Sequence, residues 1–384
     1  MRILYFSRDY STHDHRFLSA LAQTEHQVAY LRLEQRGHAL EDRPLPPQIE
    51  QVQWRGGQQP FSYRLLFPLL QDLGRVIRQF QPDVIQAGPI QTAAFLVALS
   101  LLTTWQSGRP RLVSMSWGYD LLHDAHQGWI MDRITRFTLG SSSALVGDCA
   151  PIRQAAIAFG MPDSKIVTFP WGVDLEHFTP DEPEKPSPPA PPPFWGEGSG
   201  EGGANAPLVL LSTRSWELIY GVDVLAKGFA LAAQEHPELR LIMLGNGSLA
   251  GQLRQVFNRH NVSEQVFFPG QVSQTDLPRY YRQADLYVSA SRTDGTSISL
   301  LEALACGTPA LLSDIPGNRE WLDVGVQGWY FKDGDPEALC QAILQACAQH
   351  ERLPEMGQAA RALAERRADW KKNFQMLFQA YGKT

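Results

Sequence analysis

Short apolar runs recur along the chain, separated by helical stretches. In the first part the runs are RILYFS from Arg2, VAYLRL from Val28, DVIQAG from Asp83, RLVSMS from Arg111, ALVG from Ala144 and KIVTFP from Lys165. In the second they are LVLLST from Leu208, LRLIMLG from Leu239, QVFFPG from Gln265, DLYVSAS from Asp285 and PALLSD from Pro309. Strands that are apolar on both faces belong in parallel sheets covered by helices. The pattern therefore predicts an α/β protein in which a doubly wound parallel sheet forms twice, with ligands at the carboxyl ends of the strands. Two further apolar patterns read as helices. Residues 93–102, AAFLVALSLL, are too short for the roughly 20 residues of a membrane span and predict a buried helix. Near the end, Trp370, Phe374, Leu377, Phe378 and Tyr381 stand at helical spacing and predict an amphipathic closing helix.

Between the halves the patterning stops. Residues 181–207, DEPEKPSPPAPPPFWGEGSGEGGANAP, are first proline-rich and then glycine-rich, and read as a linker. This predicts domains at 1–180 and 208–364, with the closing helix at about 365–384. A chain of 384 residues has room for two such cores. The net charge of −6 changes the picture only by its location: residues 1–180 carry sixteen acids and sixteen bases, whereas 181–207 carry five acids and one base. Neither half is a basic nucleic-acid binder. The four cysteines, Cys149, Cys306, Cys340 and Cys347, show no metal-ligand spacing and read as reduced thiols of a cytoplasmic protein. The start, MRILYFSRDY, lacks the features of a signal peptide.

The candidate chemistry lies in residues 291–309, SRTDGTSISLLEALACGTP. Thr296 or Ser297 caps a predicted helix that ends at Gly307 and Pro309. The N–H groups around Gly295, Thr296 and Ser297 then form an anion-binding end. Eight helical residues span about 12 Å, roughly the distance from a sugar across a diphosphate to a ribose. Asp294 at one end would accept hydrogen bonds from sugar hydroxyls, and Glu302 at the other would hold the ribose diol. The alternative is a capped core helix whose Glu302 pairs with an internal arginine. Upstream, Arg214 follows a strand, where its guanidinium could clamp a diphosphate, and Gly245-Asn246-Gly247 forms a strand-to-helix turn.

These pieces occur in the order Arg214, Gly221-Val222-Asp223, Gly245-Asn246-Gly247, FFPGQVSQTDLPRYYRQADLYVSAS from Phe267, and Asp294 followed by Glu302 and EALACGTP. In that combination the second half resembles the nucleotide-sugar domain of retaining glycosyltransferases of family 4. Those enzymes have two Rossmann-like domains with a cleft between them, the GT-B fold, and residues 170–180, PWGVDLEHFTP, resemble their hinge segment. The resemblance implies donor contacts from Arg214, Gly245, Asn246, Val272, Asp294, Gly295, Thr296, Ser297 and Glu302, with Gly270 to Val272 under the base. It also implies a closing helix that crosses back to the first domain.

Three places depart from the family pattern. Tyr220 stands where a lysine is usual six residues after the arginine, so diphosphate charge falls to Arg214 and the helix end. Trp117 replaces the histidine of a His-Gly-x-Asp segment, with sugar stacking and core packing both open. Asp120 keeps the acid of that segment and is the candidate to contact donor sugar or acceptor, with helix capping as the alternative. The first turn reads SRDYSTHDHRFLSAL in place of a glycine-rich loop. There Asp14 can cap the helix that follows and stands with His13 on the acceptor side; His13 and His15 flanking it suggest a polar acceptor subsite, and Gly88 after a strand would line the same cleft. Two histidines at this spacing make a poor metal site, and no Asp-x-Asp cation motif stands at a plausible site.

The expectation is a retaining, metal-independent hexosyltransferase in carbohydrate biosynthesis, with Asp120, Arg214 and Asp294 as catalytic residues. It needs no cofactor beyond a UDP- or GDP-linked donor substrate, takes a carbohydrate or lipid-linked acceptor, and has no nucleic-acid partner. Rival readings are a sugar-nucleotide epimerase, a sugar phosphorylase, or a non-catalytic nucleotide-sugar-binding subunit. The amphipathic stretch 63–80 reads as a core helix; if the acceptor is a lipid, it is the alternative place for a peripheral membrane contact.

Overall fold

The computed structural model describes residues 1–35, 41, 43–104, 108–180 and 208–382. The linker expected at 181–207 lies outside them. The chain divides into two compact units, Met1–Pro170 with Lys371–Thr384, and Trp171–Trp370.

The first unit is built on a seven-stranded sheet of β1 (Arg2–Ser7), β2 (Gln27–Arg32), β3 (Glu50–Gln51), β4 (Val84–Gly88), β5 (Arg111–Met115), β6 (Ala144–Gly147) and β7 (Ile166–Thr168), in the spatial order β3-β2-β1-β4-β5-β6-β7. All six pairings are parallel. The second unit holds β8 (Val209–Ser212), β9 (Arg240–Leu244), β10 (Val266–Gly270), β11 (Leu286–Ser289), β12 (Ala310–Ser313) and β13 (Gly328–Phe331), ordered β10-β9-β8-β11-β12-β13 and again parallel throughout. Both orders reverse direction once, between β1 and β4 and between β8 and β11. These are the switch points at which doubly wound sheets bind ligands.

In the second unit Leu210, Leu241, Met243 and Val288 enter one apolar cluster and Leu211, Ile242, Tyr287 and Leu312 another. Alternate residues of one strand thus serve opposite faces, which is why the runs are apolar without interruption. The helix Leu66–Phe80 buries Leu69, Leu73, Val76, Ile77 and Phe80, so the amphipathic stretch is a core helix. Among the described residues no helix is long and apolar enough to cross a membrane.

The compact units differ from the expected domains in two places. Residues 171–180 belong with the second unit, because Val173 pairs with Asp369 and the Arg361 guanidinium donates to the carbonyls of Leu175, Phe178 and Ala305. The segment that rejoins the first unit begins at Lys371, and Trp370 stays behind. It buries Phe374, Leu377 and Tyr381, and the Tyr381 hydroxyl donates to the Gln86 side chain of β4.

Candidate functional site

Four strand ends of the second unit meet around Arg214. Arg214 lies two residues beyond β8 and Asp294 five beyond β11, so the two flank the switch point. One Arg214 nitrogen donates to Asp294 Oδ2 at 2.6 Å and the other to Ser297 Oγ at 2.9 Å. Arg214 Nε is buried with no hydrogen-bond partner among the described residues. Burial alone would lower the guanidinium pKa, but the Asp294 carboxylate beside it raises the pKa above its ordinary value. Burial raises the Asp294 pKa, with Arg214 opposing.

The guanidinium lies over the Tyr220 ring, 4.2 Å from its centroid. Gly221 brings that turn so close: its φ is +60°, and a Cβ there would sit 1.8 Å from the Ala290 carbonyl oxygen. Arg292 then pins the turn, its backbone N–H donating to Ile219 and its side chain to Asp223 at 3.0 Å. The Gly245 turn joins from β9. Gly245 N–H donates to the Gly270 carbonyl at 2.7 Å, and the Trp216 N–H to the exposed Asn246 carbonyl at 2.9 Å. Val272, two residues beyond Gly270, packs half-buried against the sheet's core.

The helix Ile298–Ala305 has Ser297 at its N-cap, but the Ser297 side chain makes no cap bond, and its hydroxyl receives Arg214 instead. Its first N–H groups thus keep their positive character beside Gly295 and Thr296. Glu302, 3 % exposed, sits one turn into this helix and accepts a hydrogen bond from the Tyr281 hydroxyl at 2.9 Å. Thr213 Oγ1 stands 3.2 Å from the same hydroxyl. The Arg214 guanidinium pairs with Asp294. Tyr281 was not singled out in the sequence, where one tyrosine on the buried face of the helix Leu277–Gln283 carries no distinguishing signal.

In the first unit the structure brings His13, Trp117, Asp120 and the Gly88 loop together. Trp117 stacks on His13 with centroids 5.1 Å apart and meets the edge of Phe17 at 6.3 Å. Gly88 is required where it stands, because a Cβ would lie 2.4 Å from the Met115 carbonyl oxygen. Asp14 and Asp120 both have the kind of structural partner weighed beside ligand contact. Asp14 is the third residue of the helix Thr12–Leu21 and closes a capping box with Ser11, while Tyr5 donates to its other oxygen at 3.0 Å. Asp120 is 2 % exposed, and its carboxylate accepts from Ser116 Oγ and from the N–H groups of Ile90, Trp117 and Leu121. Four donors from its own unit commit it to holding two loops. Among the described residues no cluster of three or more His, Cys, Asp and Glu side chains could hold a metal.

Burial pushes the Asp120 pKa up from 3.8 to about 6. The folded state therefore binds a proton that the unfolded chain has released. The resulting stability is fully present below pH 3.8 and is lost as pH rises through 6, a change of up to about 3 kcal/mol. Asp120→Asn is expected to flatten this part of the pH dependence in urea unfolding. It should also cost about 1–3 kcal/mol at neutral pH, since the amide NH2 would face the Ile90 N–H. An unchanged pH profile would show that the titrating group is elsewhere.

Comparison with known proteins bears on each unit. Residues 202–363 match the family model "Glycosyl transferases group 1", and residues 11–172 match "Glycosyl transferase 4-like domain". The chain is 26 % identical over 309 residues to a GDP-mannose-dependent alpha-(1-6)-phosphatidylinositol monomannoside mannosyltransferase of Mycolicibacterium smegmatis, covering 77 % of this chain and 75 % of that protein. Its fold matches sucrose-phosphate synthase from Thermosynechococcus elongatus with a TM-score of 0.78, at 15 % identity over 99 % and 98 % of the two chains. It also matches Anabaena HepE in complex with UDP-glucose with a TM-score of 0.76, at 16 % identity over the whole of both.

Proposed function

Because the chain belongs to the group 1, family 4-like glycosyltransferases, with one family model on each unit, we propose that it moves a hexosyl group from a GDP- or UDP-linked donor, with retention of anomeric configuration and without a metal ion. The second unit holds the donor and the first the acceptor. The observation that carries this reading is Arg214 at the β8/β11 switch point, fixed on Asp294 and Ser297 at the start of the helix that bears Glu302. A leaving diphosphate placed there meets a guanidinium and a helix N-terminus, which stabilise the charge that develops as the glycosidic bond breaks. The departing oxygen then takes the acceptor's proton on the same face of the sugar.

The choice of nucleotides is supported by the relative named for GDP-mannose and the neighbour solved with UDP-glucose. Purified protein incubated with UDP, GDP and ADP sugars, with and without a glycan or glycolipid extract, tests the reading. Nucleoside diphosphate release that rises with acceptor, survives chelator and yields an α-linked product from an α-linked donor is expected. A β-linked product would overturn retention, and release abolished by chelator would overturn metal independence. Failure to release nucleotide from any donor would remove transfer itself.

A further inference from the structure

The carboxyl edge of the first unit's sheet carries a second set of side chains that the donor chemistry does not use. Tyr63 is 41 % exposed and Tyr119 43 % exposed. The Tyr63 hydroxyl donates to the Gln91 carbonyl at 2.9 Å, and its ring meets the edge of Phe61 at 5.0 Å. Gln91 in turn donates its side-chain amide to the Asp120 carbonyl at 2.9 Å, one residue beyond Tyr119. Tyr119 lies flat on His123, with centroids 4.6 Å apart and planes 18° apart. The rings therefore flank one hydrogen-bonded chain, between the loops that follow β4 and β5.

Two contacts between ionisable side chains lie near them. The Glu34 carboxylate takes Arg8 Nε at 2.7 Å and the Phe61 N–H at 2.7 Å. His123 Nδ1 stands 3.2 Å from Asp124 Oδ1, and Arg8 and Asp124 both act on the Tyr63 hydroxyl. An acyl chain would find too many polar groups here. Flat amphipathic rings edged by hydrogen-bonding groups suit a molecule with apolar C–H faces and a rim of hydroxyls.

We propose that Tyr63 and Tyr119 form a stacking subsite for a neutral hexopyranose unit of the acceptor. This rests on the transferase reading, and it makes the acceptor a saccharide at the point of contact. The full chain, titrated with maltotriose, α-1,6-mannotriose and chitotriose without donor, should show saturation transfer to the ring C–H protons of at least one trisaccharide. Tyr119→Ala should weaken that binding roughly tenfold, as should Tyr63→Ala, while Tyr119→Phe stays within about threefold. If Tyr119→Ala fails to fold, Tyr119→Leu, which keeps apolar bulk without a ring face, gives the same readout. No saturation transfer from any of the three at 10 mM (about 10 mM being a weak-binding ceiling), or binding indifferent to all the substitutions, overturns the proposal. So does co-sedimentation with phosphatidylcholine and phosphatidylglycerol vesicles that the alanine variants abolish, which would assign the rings to lipid. Calorimetry with UDP and GDP on the same samples reads the donor site separately, so loss of the transferase reading and loss of this subsite give different results.

Discussion

Arg214→Lys is expected to slow nucleoside diphosphate release by about 10- to 100-fold, and Arg214→Ala by about 100- to 1,000-fold, the range found when a preorganised donor to developing negative charge is removed. The reason is the fork. Arg214 reaches Asp294 and Ser297 with separate nitrogens, whereas a lysine has one nitrogen and must choose. Its positive charge carries unusual weight here, since Tyr220 supplies none where the family pattern has a lysine. What Tyr220 supplies is a ring face under the guanidinium at 4.2 Å, worth about 0.5–2 kcal/mol in orientation. Tyr220→Phe should therefore keep nearly full activity and Tyr220→Ala should lose about two- to thirtyfold. Because Arg214→Ala also leaves the buried Asp294 carboxylate without its arginine, circular dichroism must accompany the rates. Release by the folded lysine variant at the unsubstituted rate would end the diphosphate role of Arg214.

Most of this architecture was legible in the chain because parallel strands buried on both faces leave uninterrupted apolar runs. All eleven runs became strands. The two strands that went unseen show the limit of that signal. β3 is two exposed residues, Glu50 and Gln51, at a sheet edge, with no burial to impose a pattern. β13 opens on Gly328, whose φ of +155° and approach to the Ala310 carbonyl exclude a side chain; a strand that begins with glycine reads as a turn.

The site divided along the same physical line. Residues whose role depends on backbone position, such as Arg214 after β8 and Asp294 after β11, could be placed from strand and helix boundaries alone. Residues whose role depends on which polar group they face could not. Asp120 and Asp14 are acids at strand-end loops for which capping and ligand contact both stood open in the sequence, and the structure adds the four donors around one and the capping box around the other. Ser297 shows the reverse: its position suggested a cap, and its hydroxyl serves Arg214.

For Glu302 the expected result is loss of nucleotide affinity with little change elsewhere. Its carboxylate is nearly sealed and accepts a hydrogen bond from the Tyr281 hydroxyl. Two ribose hydroxyls donating to such a group would form two charge-assisted bonds of about 1.5–3 kcal/mol each. Glu302→Ala should then weaken UDP or GDP binding by about 100-fold or more, while Glu302→Gln, which keeps an acceptor without the charge, should fall between. Tyr281→Phe provides the contrast: it removes the group that orients the carboxylate without removing the carboxylate, and should cost about tenfold or less. Calorimetry with UDP, GDP and the corresponding 2′-deoxy diphosphates separates these effects. The unsubstituted protein should discriminate against the deoxy compounds, and Glu302→Ala should bind both forms alike. Equal loss for ribose and deoxyribose ligands would mean that Glu302 supports the helix and never touches the diol.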